Sequence, residues 1–304
     1  MKNKALRRLI CGLSVLLTSL PFFTFALNAF PKKDTITNNG YKIKTIVVDA
    51  GHGTRKNGSH SGASGSFSTE SNVTLAIALK LRRAIEKEMD DVKVVMTRTT
   101  EDDVPLATRS DIANENKGNL FISIHCNSLS DRRRTEIAGY HKGRHGKKTP
   151  IYKTVSVPDR SGKGVLLLVY STKREGPQLE ALRENADVDD KEYKDRNGYD
   201  PSDPTSAILI AAFKNKYRKQ SIHMADLINN EFTQNDHRPS DGVKEQVVLV
   251  LDHTAMPSVL VETGFINNPD DERYLNSEDG QNEIVASIVR ALKNYKQEVE
   301  QVTE

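Results

Sequence analysis

The chain has 304 residues, of which 37% are apolar and 28% charged, with 18 Gly, 11 Pro and two Cys. This composition excludes a disordered, collagen-like or disulfide-rich protein, and the length suffices for one large domain. The formal charge of +3 does not indicate a nucleic-acid partner, because removing the first 26 residues leaves 40 basic and 41 acidic residues. Arg132, Arg133 and Arg134 form a local basic patch, which we expect to be solvated surface.

The first residues have the pattern of a secretory signal peptide. A cationic stretch over residues 1–8 precedes an apolar run over residues 9–26, and small residues there fit cleavage after Ala26. The alternative is an uncleaved anchor helix, but the run is near the lower length limit for crossing a bilayer and contains Pro21. We therefore expect a secreted protein that is not an integral membrane protein after cleavage.

Cysteine usage excludes an internal disulfide in the secreted form. Cleavage removes Cys11 and leaves Cys126 alone. Because Cys126 lies in an apolar run, we expect a small buried residue rather than a nucleophile. Residues 27–41 are polar and are interpreted as a linker before the folded domain.

Strands and helices alternate in the first half of the predicted domain, which spans residues 42–298. The β-branched run 43–50 predicts a buried strand that ends at the glycines of DAGHG. Four-residue apolar spacing predicts a helix over residues 71–89. Next come a predicted strand, helix and strand, over residues 92–98, 105–116 and 119–125. This alternation indicates an α/β fold with a sheet that is parallel at its centre.

The second half is less regular. Strands are predicted over residues 137–143, 164–170, 246–252 and 258–262, and helices over residues 206–232 and 280–295. The charged stretch of residues 172–204 is interpreted as an insertion, and residues 299–304 as a polar tail.

Polar residues follow or close three apolar strands. His52 follows the first strand, His125 closes the third, and Glu262 closes the strand SVLVE. In an open α/β sheet such strand ends meet in one crevice. A further acid, Glu70, stands just before the predicted helix at Ser71, so two imidazoles and two carboxylates are expected to converge.

This set of side chains suits zinc, which takes imidazole nitrogens and carboxylate oxygens and keeps one position for water in catalytic sites. Two His and one Glu fill three positions, and the remaining acid can act as general base. Each residue alone has a plainer interpretation as a structural side chain. A phosphate-binding loop at GHG is disfavoured because the full glycine fingerprint is missing, and no Gly-x-Ser-x-Gly element of a serine hydrolase occurs.

Four separated motifs, VVDAGHG, STESN, LFISIHCN and MPSVLVETGFINNPDDERYL, resemble the zinc-dependent N-acetylmuramoyl-L-alanine amidases of the family 3 type. The resemblance implies a single domain with a mixed, mostly parallel sheet of about six strands flanked by helices. It also implies hydrolysis of the amide bond between N-acetylmuramic acid and L-alanine in peptidoglycan. In this family pattern His52, Glu70 and His125 hold Zn²⁺, and Glu262 is the general base for a metal-bound water.

Two departures from the family pattern leave questions open. The loop between His52 and Glu70 is rich in Ser and lacks an Asp-Pro-Gly sequence, so His60 within it is an alternative metal ligand. The insertion resembles a regulatory helix that blocks the site in some members until an activator protein displaces it. Glu184 would then be the blocking residue; the alternative is a surface helix without that role.

Other functions remain compatible with the same residues. A non-catalytic peptidoglycan-binding or regulatory protein could keep the fold, although it would not need the complete set of four polar residues. A zinc peptidase or deacetylase acting on another peptidoglycan bond would use the same chemistry. By analogy with members that carry such an insertion, the expected location is the periplasm or cell envelope after secretion across the inner membrane. A monomer is expected.

Overall fold

The computed structural model describes residues 42–143, 147–171 and 204–301, with side chains from residue 216 onward in the last range. The predicted signal peptide, the linker and the insertion with Glu184 lie outside the described residues and stay predictions. The described residues group into one unit, as expected for a single folded domain.

Eight strands and six α-helices occur within the described ranges. The strands are β1 (Thr45–Ala50), β2 (Lys93–Met96), β3 (Leu120–Asn127), β4 (Arg132–Lys142), β5 (Lys148–Val157), β6 (Val165–Tyr170), β7 (Ser240–Gln246) and β8 (Ser258–Phe265). The helices are α1 (Glu70–Glu88), α2 (Leu106–Glu115), α3 (Pro204–Asn230), α4 (Leu249–Asp252), α5 (Pro269–Asn276) and α6 (Glu278–Gln301). A π-helical turn, Glu231–Asn235, continues α3.

The main sheet has six strands in the order β2-β1-β3-β8-β6-β7. The pairs β1/β2, β1/β3, β3/β8 and β6/β7 are parallel, whereas β6 runs antiparallel to β8. Strands β4 and β5 form a separate antiparallel sheet of two strands. The predicted mixed, mostly parallel sheet of about six strands is therefore confirmed.

Helices cover both faces of the main sheet, which explains the nearly continuous apolar sequences of its central strands. All eight residues of β8 are buried, as are five of the six in β1. On one face the strands pack with apolar residues of α1, α3 and α6, and on the other with those of α2 and α4. Helix α1 buries Val73, Ile77, Leu81 and Ile85, the residues whose four-residue spacing predicted it.

The prediction of a strand over residues 246–252 is wrong. Strand β7 ends at Gln246, and Leu249–Asp252 forms a helical turn instead. Strand β7 has the polar sequence SDGVKEQ because it lies at the edge of the sheet and is partly exposed, so it lacks the apolar run that marks a central strand.

The C-terminal helix is longer than predicted, since α6 continues to Gln301. Its last turn is held by the backbone N–H of Ile43, which donates to Glu300 Oε1 at 2.9 Å. Strand β5 and helix α5 were not predicted from the sequence. No helix among the described residues is both long and apolar enough to cross a membrane.

Candidate metal centre

The sheet topology brings the four predicted site residues to one edge. Strands β1, β3 and β8 are neighbours and parallel, so their carboxyl ends lie together. His52 lies two residues beyond β1, while His125 and Glu262 are paired across β3 and β8. Glu70 is the first residue of α1, which packs against β1 and β3.

Three of these residues form a compact cluster. His52 Nε2 lies 3.2 Å and His125 Nδ1 lies 3.0 Å from the same atom, Glu70 Oε1. The two imidazole rings meet edge to face, with centroids 4.8 Å apart and an interplanar angle of 76°. One ligand atom from each residue can be chosen so that all three lie within 4.8 Å of one another.

Glu70 is fixed by backbone donors from two directions. The N–H of Cys126 donates to Oε1 at 3.0 Å, and the N–H of Ala63 donates to Oε2 at 2.8 Å. Burial alone would raise the pKa of Glu70, but the charge of His52 and the hydrogen bond with His125 hold it well below its usual range. The carboxylate therefore stays ionised, as a metal ligand must.

The cluster fits a zinc ion by two observations. His52 Nε2 is buried, and within the described ranges it has no hydrogen-bond partner of acceptable geometry. This unpartnered imidazole nitrogen lies beside a second imidazole and a carboxylate. Two imidazoles and a carboxylate are a set of ligands that zinc prefers. Gly51 leaves room for the imidazole ring of His125 in this cluster, because a Cβ at that position would lie 2.4 Å from His125 Nε2.

Glu262 has a different environment from Glu70. It is 5% exposed, and among the described residues its Oε2 has no hydrogen-bond partner. Burial, together with the negative charge of Glu70, raises the pKa of Glu262 well above its ordinary value. The pKa values of the two carboxyl groups at this sheet edge therefore differ widely. Glu70 favours the ionised form, whereas Glu262 favours the protonated form.

Buried arginines hold the backbone of the loop that carries His52, a support that sequence reasoning missed. Arg109 donates to the carbonyl of His52 at 2.7 Å and to the carbonyl of Ala50 at 2.6 Å. Arg98 donates to the carbonyls of Ala50 at 2.8 Å and Gly51 at 2.9 Å. These contacts fix His52 with φ at 60°, in the left-handed region that non-glycine residues rarely occupy.

Asp49 neutralises this cationic support from inside the sheet. Its carboxylate accepts hydrogen bonds from Arg109 Nη1 at 2.8 Å, Thr97 Oγ1 at 2.5 Å and Ser123 Oγ at 2.5 Å. Burial would raise the pKa of Asp49, but Arg109 and the two hydroxyl donors lower it overall. Burial also lowers the pKa of Arg98 to about 10, which leaves that side chain cationic at neutral pH.

The substitution Arg109→Met is expected to destabilise the fold by about 3–5 kcal/mol, because it leaves the buried Asp49 carboxylate without its cation. Urea unfolding followed by circular dichroism measures the change. The matched control is Arg82→Met, which removes a solvent-accessible pair with Glu86 and should cost less than about 1 kcal/mol. Equal losses for the two variants would contradict the role given to Arg109.

A second carboxylate shapes the loop that leads to Glu70. Glu272 in α5 accepts hydrogen bonds from the backbone N–H groups of Ser66, Phe67 and Ser68, at 2.8 to 3.0 Å. Gly65 permits this approach, since a Cβ there would lie 2.1 Å from Glu272 Oε1. Helix α5 therefore anchors the start of α1 although it lies about 200 residues away in the chain.

The structure also shows the positions of His60 and Cys126, two residues for which expectations were drawn from the sequence. The structure places His60 outside the cluster, with Nδ1 lying 3.1 Å from both Thr54 Oγ1 and Ser71 Oγ. Cys126 is buried as expected, and burial raises the pKa of its thiol well above the ordinary value. A thiol in that state is a packing residue rather than a nucleophile.

Comparison with known proteins gives the chain a family. The model of the Amidase_3 family, described as N-acetylmuramoyl-L-alanine amidase, matches residues 46–294. The chain belongs to this amidase family. The matched range contains the whole candidate metal centre and Glu262, so the cluster lies within the part of the chain that defines the amidase family.

Individual amidases agree with this membership. The chain is 27% identical to the amidase AmiA of Salmonella typhimurium over 305 residues, covering 96% of this chain and 94% of AmiA. It is 28% identical to the amidase AmiC of Escherichia coli over 251 residues, but it spans only 52% of that longer relative. The CwlD amidase of Clostridioides difficile, solved in complex with the GerS lipoprotein, shares the fold with a TM-score of 0.54 at 21% identity, covering 83% of this chain and 98% of CwlD.

Proposed function

We propose that this amidase hydrolyses the amide bond between N-acetylmuramic acid and L-alanine in peptidoglycan, with Zn²⁺ as its cofactor. The observation that carries the proposal is the cluster of His52, Glu70 and His125 next to the buried Glu262, in a chain of the amidase family. A non-catalytic binding protein on this fold would have no use for a buried carboxyl oxygen that, among the described residues, lacks a hydrogen-bond partner and lies beside a metal-ligand cluster.

His52, Glu70 and His125 are the proposed zinc ligands. Bound zinc would polarise the scissile carbonyl and lower the pKa of water to about 7. The protein's own contribution is positional. Arg109 and Arg98 hold the His52 loop, and two backbone N–H groups orient Glu70, so the ligands are preorganised before the ion binds.

Glu262 is the proposed general base and acid. Its pKa is raised by burial, so the carboxyl group exchanges a proton closer to neutral pH than an exposed Glu does. The carboxylate would accept a proton from the attacking water and return it to the departing amine of L-alanine. Its position opposite His125 in the β3/β8 pairing supports this assignment.

Product analysis tests the proposal. Digestion of purified sacculi by the full chain should release peptides with free L-alanine amino termini and leave the glycan strands uncut, as measured by mass spectrometry. Peptides cut at another bond would assign the chain to a zinc peptidase, and deacetylated sugars would assign it to a deacetylase.

Cellular setting and regulation are part of the proposal. The signal-peptide pattern of residues 1–26 supports secretion across the inner membrane, and the substrate places the enzyme in the periplasm or cell envelope.

The insertion of residues 172–204 would inhibit the enzyme through Glu184 until an activator protein displaces it. The complex of CwlD with GerS is an example of a partner bound to a related amidase. Deletion of the insertion should raise the rate of sacculus digestion, and an unchanged rate would exclude inhibition.

A further inference from the structure

Strands β4 and β5 form a ribbon that projects its side chains into solvent on both faces. Within the described part of the chain these strands pair only with each other, and most of their residues are exposed. A two-stranded hairpin is marginally stable in water unless something packs on it. A binding partner that packs on the ribbon would therefore explain its exposed apolar side chains.

One face of the ribbon carries an apolar stripe. Ile137 pairs with Tyr152, and Tyr140 pairs with Pro150. Directly opposed residues share a face, and the bulge between Ile137 and Gly139 brings Tyr140 onto the same side. Ile137, Tyr140 and Tyr152 are 51%, 57% and 62% exposed. Grouped exposed side chains of this kind mark interaction surfaces.

The ribbon is also strongly cationic. Its strands contain six Lys and Arg residues and one Glu, whereas the whole chain carries a net charge of +3. On the face with the apolar stripe, Arg133 lies at one end, and Lys142 and Lys148 lie opposite each other at the other end. The surface therefore suits a partner that combines negative charge with apolar or sugar faces.

The base of the ribbon is fixed at the sheet edge that carries the candidate metal centre. It emerges after β3, the strand that contains His125. Asn267, two residues beyond β8, donates to the carbonyls of Leu129 and Asp159, both at 2.9 Å. These residues lie on the two chain segments that enter and leave the ribbon. A polymer bound at the metal centre therefore has the ribbon beside its path.

We propose that the β4–β5 ribbon binds the anionic peptidoglycan polymer next to the metal centre, with its tyrosines packing on sugar rings and its cations pairing with stem-peptide carboxylates. This inference rests on the proposed function. A second copy of the chain fits less well, because two cationic ribbons repel each other. An acidic protein strand added to the ribbon edge is also disfavoured, since the bulge and the Lys and Arg side chains hinder edge pairing.

Sedimentation with intact sacculi tests the ribbon without requiring turnover. The charge variant combines Arg133→Gln, Lys142→Gln and Lys148→Gln, and the apolar variant combines Ile137→Thr, Tyr140→Thr and Tyr152→Thr. All chains carry Glu262→Gln so that the sacculi stay intact. The matched control neutralises three exposed cations on α1 and α3, by Arg83→Gln, Lys87→Gln and Lys219→Gln.

Each ribbon variant is expected to weaken sacculus binding by about tenfold or more, whereas the matched control should bind as the parent does. In chains that keep Glu262, the ribbon variants should hydrolyse sacculi more slowly relative to soluble disaccharide-peptide fragments, and this ratio of rates should fall by a similar factor. Added salt should weaken sacculus binding by the parent more than sacculus binding by the charge variant.

Unchanged sacculus binding by both ribbon variants would overturn the proposal. If those variants instead lost retention on immobilised polyglutamate, the ribbon would be a docking surface for an acidic protein. A dimer of the parent that the apolar variant abolishes would assign the surface to a second copy. Failure of the proposed function would appear separately, as the absence of L-alanine amino termini in the products of the parent enzyme.

Discussion

Glu262→Gln is expected to lower kcat on peptidoglycan fragments by about 10²- to 10⁴-fold, because a positioned general base contributes rate enhancements of that size. The amide keeps the shape of the side chain but cannot accept the proton of the attacking water. Folding should be retained or improved, since the substitution removes a buried carboxyl group whose charged form is disfavoured by burial and by Glu70. Steady-state hydrolysis, circular dichroism and metal analysis measure these three quantities.

Two comparisons separate loss of the base from loss of the site. Glu70→Gln removes a proposed ligand and should lose bound zinc together with activity, whereas Glu262→Gln should keep its zinc. Glu86→Gln, on the exposed side of α1, should retain the activity and metal content of the parent. A Glu262→Gln variant with parental turnover would remove Glu262 from the mechanism, and one without zinc would move it into the ligand set.

The central sheet was predictable because its strands are buried on both faces. Strands β1, β3 and β8 appear in the sequence as apolar runs, and the polar residues at their ends interrupt that pattern. A parallel arrangement then requires His52, His125 and Glu262 to share one edge. The residues of the candidate site were therefore accessible from the sequence, whereas their distances and protonation were not.

The support of the site was not predictable, because it depends on partners far apart in the chain. Asp49 and Arg109 are 60 residues apart, and no sequence motif links one to the other. The available signal was an isolated acid within the apolar strand TIVVDA, which a buried strand tolerates only when a cation or several donors face it. Even so, the sequence alone does not say which of the many arginines is the partner.

Strands β5 and β7 escaped prediction for the opposite reason, whereas β4 was predicted in part, over residues 137–143. Strand β7 lies at the edge of the sheet and is partly exposed along its length, and most residues of β5 are exposed. Such strands lack the apolar run or strict alternation on which sequence interpretation depends. The apolar run near residue 249 gave a misleading signal, since Val250 and Leu251 are buried from a helical turn.

Removal of zinc is expected to abolish hydrolysis and to lower the melting temperature of the protein. A ligand that binds only the folded state stabilises it by about 4 kcal/mol at a concentration a thousandfold above its Kd. For a domain of this size, that corresponds to a melting temperature about 10 °C higher than in the metal-free protein. Differential scanning calorimetry of chelator-treated protein, before and after zinc is added back, measures the shift.

The ligand assignment predicts which histidines this stabilisation requires. His52→Ala and His125→Ala should lose bound zinc and should not be stabilised when zinc is added, because each removes one of the three proposed ligands. His60→Ala should retain the zinc content and the response of the parent, since its Nδ1 contacts Thr54 and Ser71 rather than Glu70. A zinc response that persists in His52→Ala but disappears in His60→Ala would place the metal in the Ser-rich loop, and the cluster around Glu70 would then be a hydrogen-bonded structural element.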